Sequence, residues 1–447
     1  MIEFFNKYLF GTAVPLILVF SGIYYAVSLK FFHIRHPLII IKSLTKKSNC
    51  DGTTPFRAVT LALAGTLGVG NIVGVASAIS LGGFGAIFWM WISAICAMLL
   101  KYAEIVLAMM HRRYDKGGEP HGAAMYYIKD FFASISLRKF GSFLAAVFAV
   151  LCIINALTMG SMMQANAVGE ALEGVFSLPR LACGVIMGIF CLIVVAKGTN
   201  AMSRITEIII PVVSLGYIVV SVAALIIQRD ALPSAIKSIF EDAMSPKSAG
   251  GGVIGFLLSR SLRFGTIRGL ISNEAGCGTA PTAHATATSS GPVEQGFWGI
   301  FEVFVDTIVL CTMTALVLII NFDELTFRGS WIMLSIDAYS ASLGDFAAVF
   351  LGISVLCFGV STIICWAHYG IESLGYFTSS PLARGAFIMI YSVCVLLGTL
   401  FSSESIWEIA DFAIGAMTLI NVSILLAMRK TVKYETESYL LTGNKKR

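Results

Sequence analysis

The sequence predicts an all-α protein that crosses a membrane many times, on three observations. Of its 447 residues 57% are hydrophobic and 13% are charged, against roughly 25% charged in a soluble domain, and the mean hydropathy is +0.83. Apolar runs of about 18 residues or more, enough to span a bilayer as helix, recur along the chain. Lys and Arg are unevenly shared between alternate loops. The formal charge of +5 is small, and no basic patch is interleaved with aromatics for nucleic acid. The ten cysteines stand singly without a CxxC pair, which reads as small core hydrophobes.

Eleven spans are expected, near 8–29, 56–81, 86–110, 141–172, 182–196, 205–227, 251–271, 297–320, 346–370, 384–401 and 405–428. The first is too long for a signal peptide and no small-residue cleavage site follows it. With the N-terminus outside, the inside loops hold 21 Lys and Arg and the outside segments 6. That bias fits the positive-inside rule in this orientation and makes the C-terminus cytoplasmic. The organisation expected is an extra helix and loop over 1–52, a ten-helix core over 53–430 and a tail over 431–447.

The second span carries the functional signal. Gly65, Gly68, Gly70 and Gly74 crowd the middle of Ala62–Ala76, beside Thr66 and Asn71. Each glycine inside a helix costs about 1 kcal/mol, and a broken helix persists at membrane depth only where it is packed in protein or lines a cavity. The seventh span is also glycine-interrupted, at Gly250–Gly252 and across Phe264–Gly269. Two interrupted helices, each first in a five-helix half (53–228 and 249–430), point to inverted repeats and to a binding site between them.

An unwound helix frees N–H groups, which suit a carboxylate, and carbonyls, which suit a small hard cation. Val69, Gly70 and Asn71 are placed to offer amides, and the carbonyls near Ala64 and Leu67 to hold a cation. Ser361 and Thr362 can supply further oxygens, though mid-helix hydroxyls also bond back to their own helix. Gln164 is costly to leave unpaired in lipid and serves either the site or helix–helix contact. Glu104, Glu302, Asp306 and Asp411 read as ion-pair or hinge groups or as proton relays. His33, His36 and His284 read as solvent-facing. No nucleophile–base pair and no metal-ligand cluster argues for an enzyme.

Ala64–Ala76, Gly85–Trp91, Lys101–Glu104, Arg268–Pro281, Glu302–Thr307 and Ile406–Asp411 resemble the bacterial and archaeal alanine/glycine:cation symporters, and the resemblance runs along essentially the whole chain. It implies the leucine-transporter fold, five helices plus five inverted, with one added N-terminal helix. It also implies sodium-coupled uptake of alanine, glycine or a similar small neutral amino acid by alternating access, in a bacterial inner membrane. No cofactor beyond the coupling sodium is expected, and the chain is expected as a monomer. On this resemblance the substrate carboxylate lies at Val69, Gly70 and Asn71. The substrate side chain faces Gln164, Phe264, Gly265 and Trp366, and sodium lies among Ala64, Leu67, Ser361 and Thr362. Two positions depart from the family pattern: Val69 stands where Thr is common, and Ile271 where Phe is. A proton-coupled symporter and an amino acid channel are the alternatives.

Overall fold

The computed structural model describes residues 13–45, 53–115, 117–244, 260–401 and 404–445. It is helical at each of the eleven expected places. In chain order the helices are α1 (Val14–Ser28), α2 (Pro55–Thr66), α3 (Val75–Gly82), α4 (Ala86–Met110), α5 (Ala124–Ser134), α6 (Arg138–Leu157), α7 (Gln164–Phe176), α8 (Arg180–Ala196), α9 (Thr199–Ile227) and α10 (Leu232–Ala243). There follow α11 (Arg260–Asn273), α12 (Pro281–His284), α13 (Pro292–Val303), α14 (Thr312–Asn321), α15 (Trp331–Leu343), α16 (Asp345–Gly375), α17 (Pro381–Leu400), α18 (Glu404–Ala427) and α19 (Arg429–Lys445). Among the described residues seven continuous helices are long and apolar enough to cross a membrane, and the bent pair at α2–α3 makes an eighth. α1 and α8 are shorter apolar helices, of 15 and 17 residues. The expected span 251–271 is described only from Arg260 onward, so Gly250–Gly252 lie outside the described residues.

Residue type sorts the helix faces. On α9, Ile208, Val212, Leu215, Val219, Val222 and Ile226 are all exposed. Their spacing of three and four places them on one helical face, an apolar surface suited to lipid. The opposite face buries Thr206, Ser214, Tyr217 and Ser221, and there two of the hydroxyls bond neighbouring helices. Tyr217 bonds Thr314 and Ser221 bonds Tyr339, both at 2.7 Å. α4 is the most enclosed of the long helices. It packs against α13, α11 and α1, with its own Lys101 and Glu104 fully buried. The nine described cysteines are free and seven are buried.

Among the described residues one span is discontinuous, and a second break in helix follows α11. α2 ends at Thr66, and the chain re-forms as a turn with i→i+5 bonds over Gly70–Gly74 before α3. The axis bends by 48° across the break. The second break lies past Phe264–Gly269, while the Gly250–Gly252 part of the expectation lies outside the described residues. α11 runs unbroken through Phe264–Gly269 and ends at Asn273, and the irregular stretch is Glu274–Ala280. Glu274, Gly276 and Gly278 there take φ of +52°, +86° and +78°, the left-handed region that ends helices. Gly265 and Gly269 serve packing instead. A Cβ at Gly265 would meet the Ala86 carbonyl and come within 2.9 Å of Trp89 Cβ, and one at Gly269 would lie 2.7 Å from Ser93 Oγ. Both glycines let α11 press onto α4.

Candidate functional site

A cavity of about 550 Å³ sits at the first break. Gly65, Thr66, Gly68, Val69 and Gly70 line one side, and Met159, Met163 and Gln164, from the turn between α6 and α7, line another. Arg268, Ile271 and Glu274, from the end of α11 and the second break, close a third. The mouth is formed by Glu170, Ser330, Trp331 and Trp407 and reaches the exposed Gly329. Glu170 accepts a 2.6 Å bond from the Ser330 hydroxyl, tying α7 to the start of α15 across that mouth.

Of the expected residues Val69, Gly70 and Gln164 line the cavity, while Ala64, Leu67, Ser361 and Thr362 are not part of its wall. The Ala64 carbonyl accepts a 2.8 Å bond from Thr362 Oγ1, which joins the end of α2 to the middle of α16. Ser361 Oγ, next along α16, is buried with no hydrogen-bond partner among the described residues. The backbone N–H of Val69 donates to Gln164 Oε1 at 3.3 Å. Only glycine fits between these groups: a Cβ on Gly68 would lie 2.6 Å from Thr362 Oγ1 and 3.0 Å from Gln164 Oε1. Leu67 caps α2 with φ −76° and ψ 62°, so its carbonyl is turned off the helical track. Gly70 opens the following turn, where the first N–H groups have no partner within it.

The other expected contacts lie behind this surface. Asn71 turns away from the cavity, and its amide donates to Asp306 Oδ1 at 2.7 Å and to the Asp306 carbonyl at 3.2 Å. Phe264 and Gly265 are absent from the cavity wall; the first lies by Gly82 and the second against α4. Trp366 is buried one layer back, where its Nε1 donates to Glu274 Oε1 at 3.0 Å. Glu274, Arg268 and Ile271 reach the cavity from one residue block, Arg268–Pro281, which the sequence marks without distinguishing wall from scaffold.

A buried ionic network stands beside the break. Lys101 Nζ lies 3.2 Å from Glu302 Oε1, and His284 Nε2 lies 2.9 Å from Glu302 Oε2, all three side chains fully enclosed. Thr66 Oγ1 donates to the same Glu302 Oε1 at 3.3 Å. Gln295 Nε2 donates to His284 Nδ1 at 2.8 Å, so His284 carries its proton on Nε2 and donates it toward Glu302. The sequence expectation of a solvent-facing His284 is therefore corrected, because its short helix folds inward against α2 and α4. His33 is also buried, at 8% exposure.

At the opposite end of α16 a second cavity of about 500 Å³ is lined by His121, Lys197, His368, Glu372 and Arg384, among others. His121 sits in a two-stranded hairpin, β1 (Arg113–Tyr114) with β2 (Pro120–His121), and its Nδ1 bonds Glu372 Oε2 at 2.8 Å. That bond, outweighing partial burial, raises the imidazole from its ordinary 6.5 to about 9. A raised folded-state pKa stabilises below the unfolded value and stops doing so as pH climbs through the folded one. His121→Gln should thus lower the melting temperature at pH 6, and the gap to the unsubstituted protein should close by about pH 10. A gap independent of pH would count against the ion pair.

A span broken at mid-length and a second break after α11, both facing one cavity on a scaffold of helices with exposed apolar faces, define a secondary transporter. The chain belongs to the sodium:alanine symporter family, whose pattern it matches over residues 1–447. It is 33% identical to the uncharacterized transporter YflA of Bacillus subtilis, over 100% of this chain and 95% of that protein. It is also 33% identical to the sodium/alanine symporter AgcS of Methanococcus maripaludis, over 97% of this chain and 95% of that one. The probable sodium/glutamine symporter GlnT of Bacillus subtilis is 32% identical over 97% and 89%. Among solved structures the fold is similar to that of MhsT in complex with L-phenylalanine, with TM-score 0.59 at 13% identity over 86% of this chain and 90% of that one. A Na+-coupled sialic acid symporter matches with TM-score 0.51 at 12% identity, over 93% and 85%. The protein is a multi-pass membrane transporter rather than an enzyme, in a family of sodium-coupled amino acid symporters, and its fold is that of the leucine transporter.

Proposed function

We propose that this protein carries alanine, glycine or a similar small neutral amino acid into the cell together with sodium. The N-terminus is outside, the C-terminus cytoplasmic, and the membrane a bacterial inner membrane. The observation that supports this best is the convergence of Ala64 and Thr362 at 2.8 Å beside the partnerless Ser361 hydroxyl. Neutral oxygens from two helices, with no carboxylate among them, suit a monovalent ion bound by carbonyls and hydroxyls. In this reading sodium lies among Ala64, Leu67, Ser361 and Thr362. The substrate carboxylate takes the amides of Val69 and Gly70, and Gln164 gives up its bond to Val69 as the substrate arrives.

Sodium then holds the inner half-helix α2 to α16, and the amino acid pocket is complete only with the ion in place. By linkage the substrate raises sodium affinity by the same factor that sodium raises substrate affinity. One charge moving down 100 mV releases about 2.3 kcal/mol, and a tenfold sodium gradient about 1.4 kcal/mol more. The total of about 3.7 kcal/mol supports accumulation of a few hundred-fold. Purified protein in liposomes should take up labelled alanine or glycine saturably and lose that uptake when choline replaces sodium. Uptake unchanged in choline, or driven by a pH jump without sodium, would overturn the reading. Flux that neither saturates nor shows counterflow would indicate a channel.

A further inference from the structure

We propose that the Glu274 carboxylate receives the α-ammonium of the substrate, so that the transported class is amino acids with a free, charged amino group. This rests on the reading of the cavity as the amino acid site. Glu274 is 1% exposed, yet it lines the cavity. It holds φ at +52°, a conformation that non-glycine residues adopt at a cost and that concentrates at ligand sites. Both oxygens are fixed: Oε1 accepts from Trp366 Nε1 at 3.0 Å and Oε2 from Thr279 Oγ1 at 2.7 Å. A carboxylate has about four acceptor positions, and these two bonds leave half of them open.

No ion-pair partner lies beside Glu274 among the described residues. Lys101, the buried ammonium nearby, is instead paired with Glu302. A buried carboxylate aimed by neutral donors and lacking a cation is costly unless one arrives. The substrate supplies one. The first break also adjoins the end of α11, since a Cβ on Gly70 would lie 3.9 Å from Ser272 Cα, two residues before Glu274. A zwitterion whose carboxylate sits at Val69 and Gly70 therefore has its ammonium side toward the second break. Helix-end amides at one break and a fixed carboxylate at the other recognise the two charges that all α-amino acids share. The cavity wall at Met159, Met163 and Ile271 is left to read the side chain.

The test compares the unsubstituted protein with Glu274→Gln in liposomes. Gln keeps the acceptor for Trp366 and places a donor toward Thr279, so the break keeps its bonds while the charge is lost. The expected result is a KM for alanine at saturating sodium raised about tenfold or more, with the sodium concentration for half-maximal uptake unchanged. In the unsubstituted protein glycine should compete with labelled alanine, while propionate and N-acetylglycine should not. That second arm holds even if the variant fails to fold. An unchanged KM, equal competition by propionate, or a shift in sodium dependence in place of the alanine KM would each overturn the assignment. The last would make Glu274 an ion ligand. Absence of sodium-dependent uptake by the unsubstituted protein would instead remove the transport reading on which the assignment rests.

Discussion

Thr362→Ala raises the sodium concentration needed for half-maximal uptake by about tenfold to a hundredfold, while the alanine KM at saturating sodium stays within about twofold. The range is the loss of one oxygen bonded to a charge, about 1.5–3 kcal/mol, at about 1.4 kcal/mol per tenfold. The geometry around Thr362 makes the effect selective on the proposed reading. Thr362 Oγ1 donates to the Ala64 carbonyl at 2.8 Å and lies 3.0 Å from the Phe358 carbonyl on its own helix. On the proposed reading, a cation between α2 and α16 would replace the first of these bonds with coordination by the same two oxygens and by Ser361. Removing the hydroxyl costs the ion a ligand and leaves the amides of Val69 and Gly70 in place. Sodium titrations of alanine uptake at several alanine concentrations separate the two constants. A proportional loss of both would put the ion at another position.

The first break was legible because its glycines are too many for a helix and lie beside Thr66 and Asn71. The same reasoning does not find the second break, which follows α11 at Glu274–Ala280 instead of crossing Phe264–Gly269. Counting glycines cannot tell one that supplies a positive φ, such as Gly276 at +86°, from one that removes a Cβ from a helix contact, such as Gly269 beneath Ser93. The break begins at a glutamate, which propensity alone would continue as helix. Eight of the eleven expected spans coincide with helices long and apolar enough to cross a membrane, because lipid imposes length and polarity directly on the chain. Side-chain direction was less accessible. Asn71 and Trp366 belong to the right segments, but one faces Asp306 and the other backs Glu274, a choice made by neighbours distant in sequence. The pairing of Lys101 with Glu302 was likewise hidden, since a lone lysine within an apolar span gives no sign of its partner.

That pair carries the largest expected effect on stability. Lys101→Met should destabilise the protein by about 3–5 kcal/mol, because it leaves Glu302 charged, enclosed and without its cation. Glu302→Gln should cost a comparable amount by stranding Lys101, whose Nζ lies 3.2 Å from Glu302 Oε1 and has no hydrogen bond of its own. The double variant removes both charges, so its cost should be smaller than the sum of the two and smaller than either alone. Melting of the detergent-solubilised protein, followed by the fraction remaining monodisperse after heating, gives the four corners of that cycle. Costs that simply add would show that the two groups do not compensate one another. The consequence reaches the transport site through Thr66, which ends the inner half-helix and donates to the same Glu302 oxygen at 3.3 Å. His284 approaches the other oxygen from the segment beyond the second break. Glu302 thus joins α2 and α12 to α4, and alternating access must either break those bonds or carry the three elements together. In the double variant the amide oxygen introduced by Glu302→Gln still accepts from Thr66, so a variant that regains stability yet transports slowly would identify the charge, and not the fold, as what holds the inner half-helix in register.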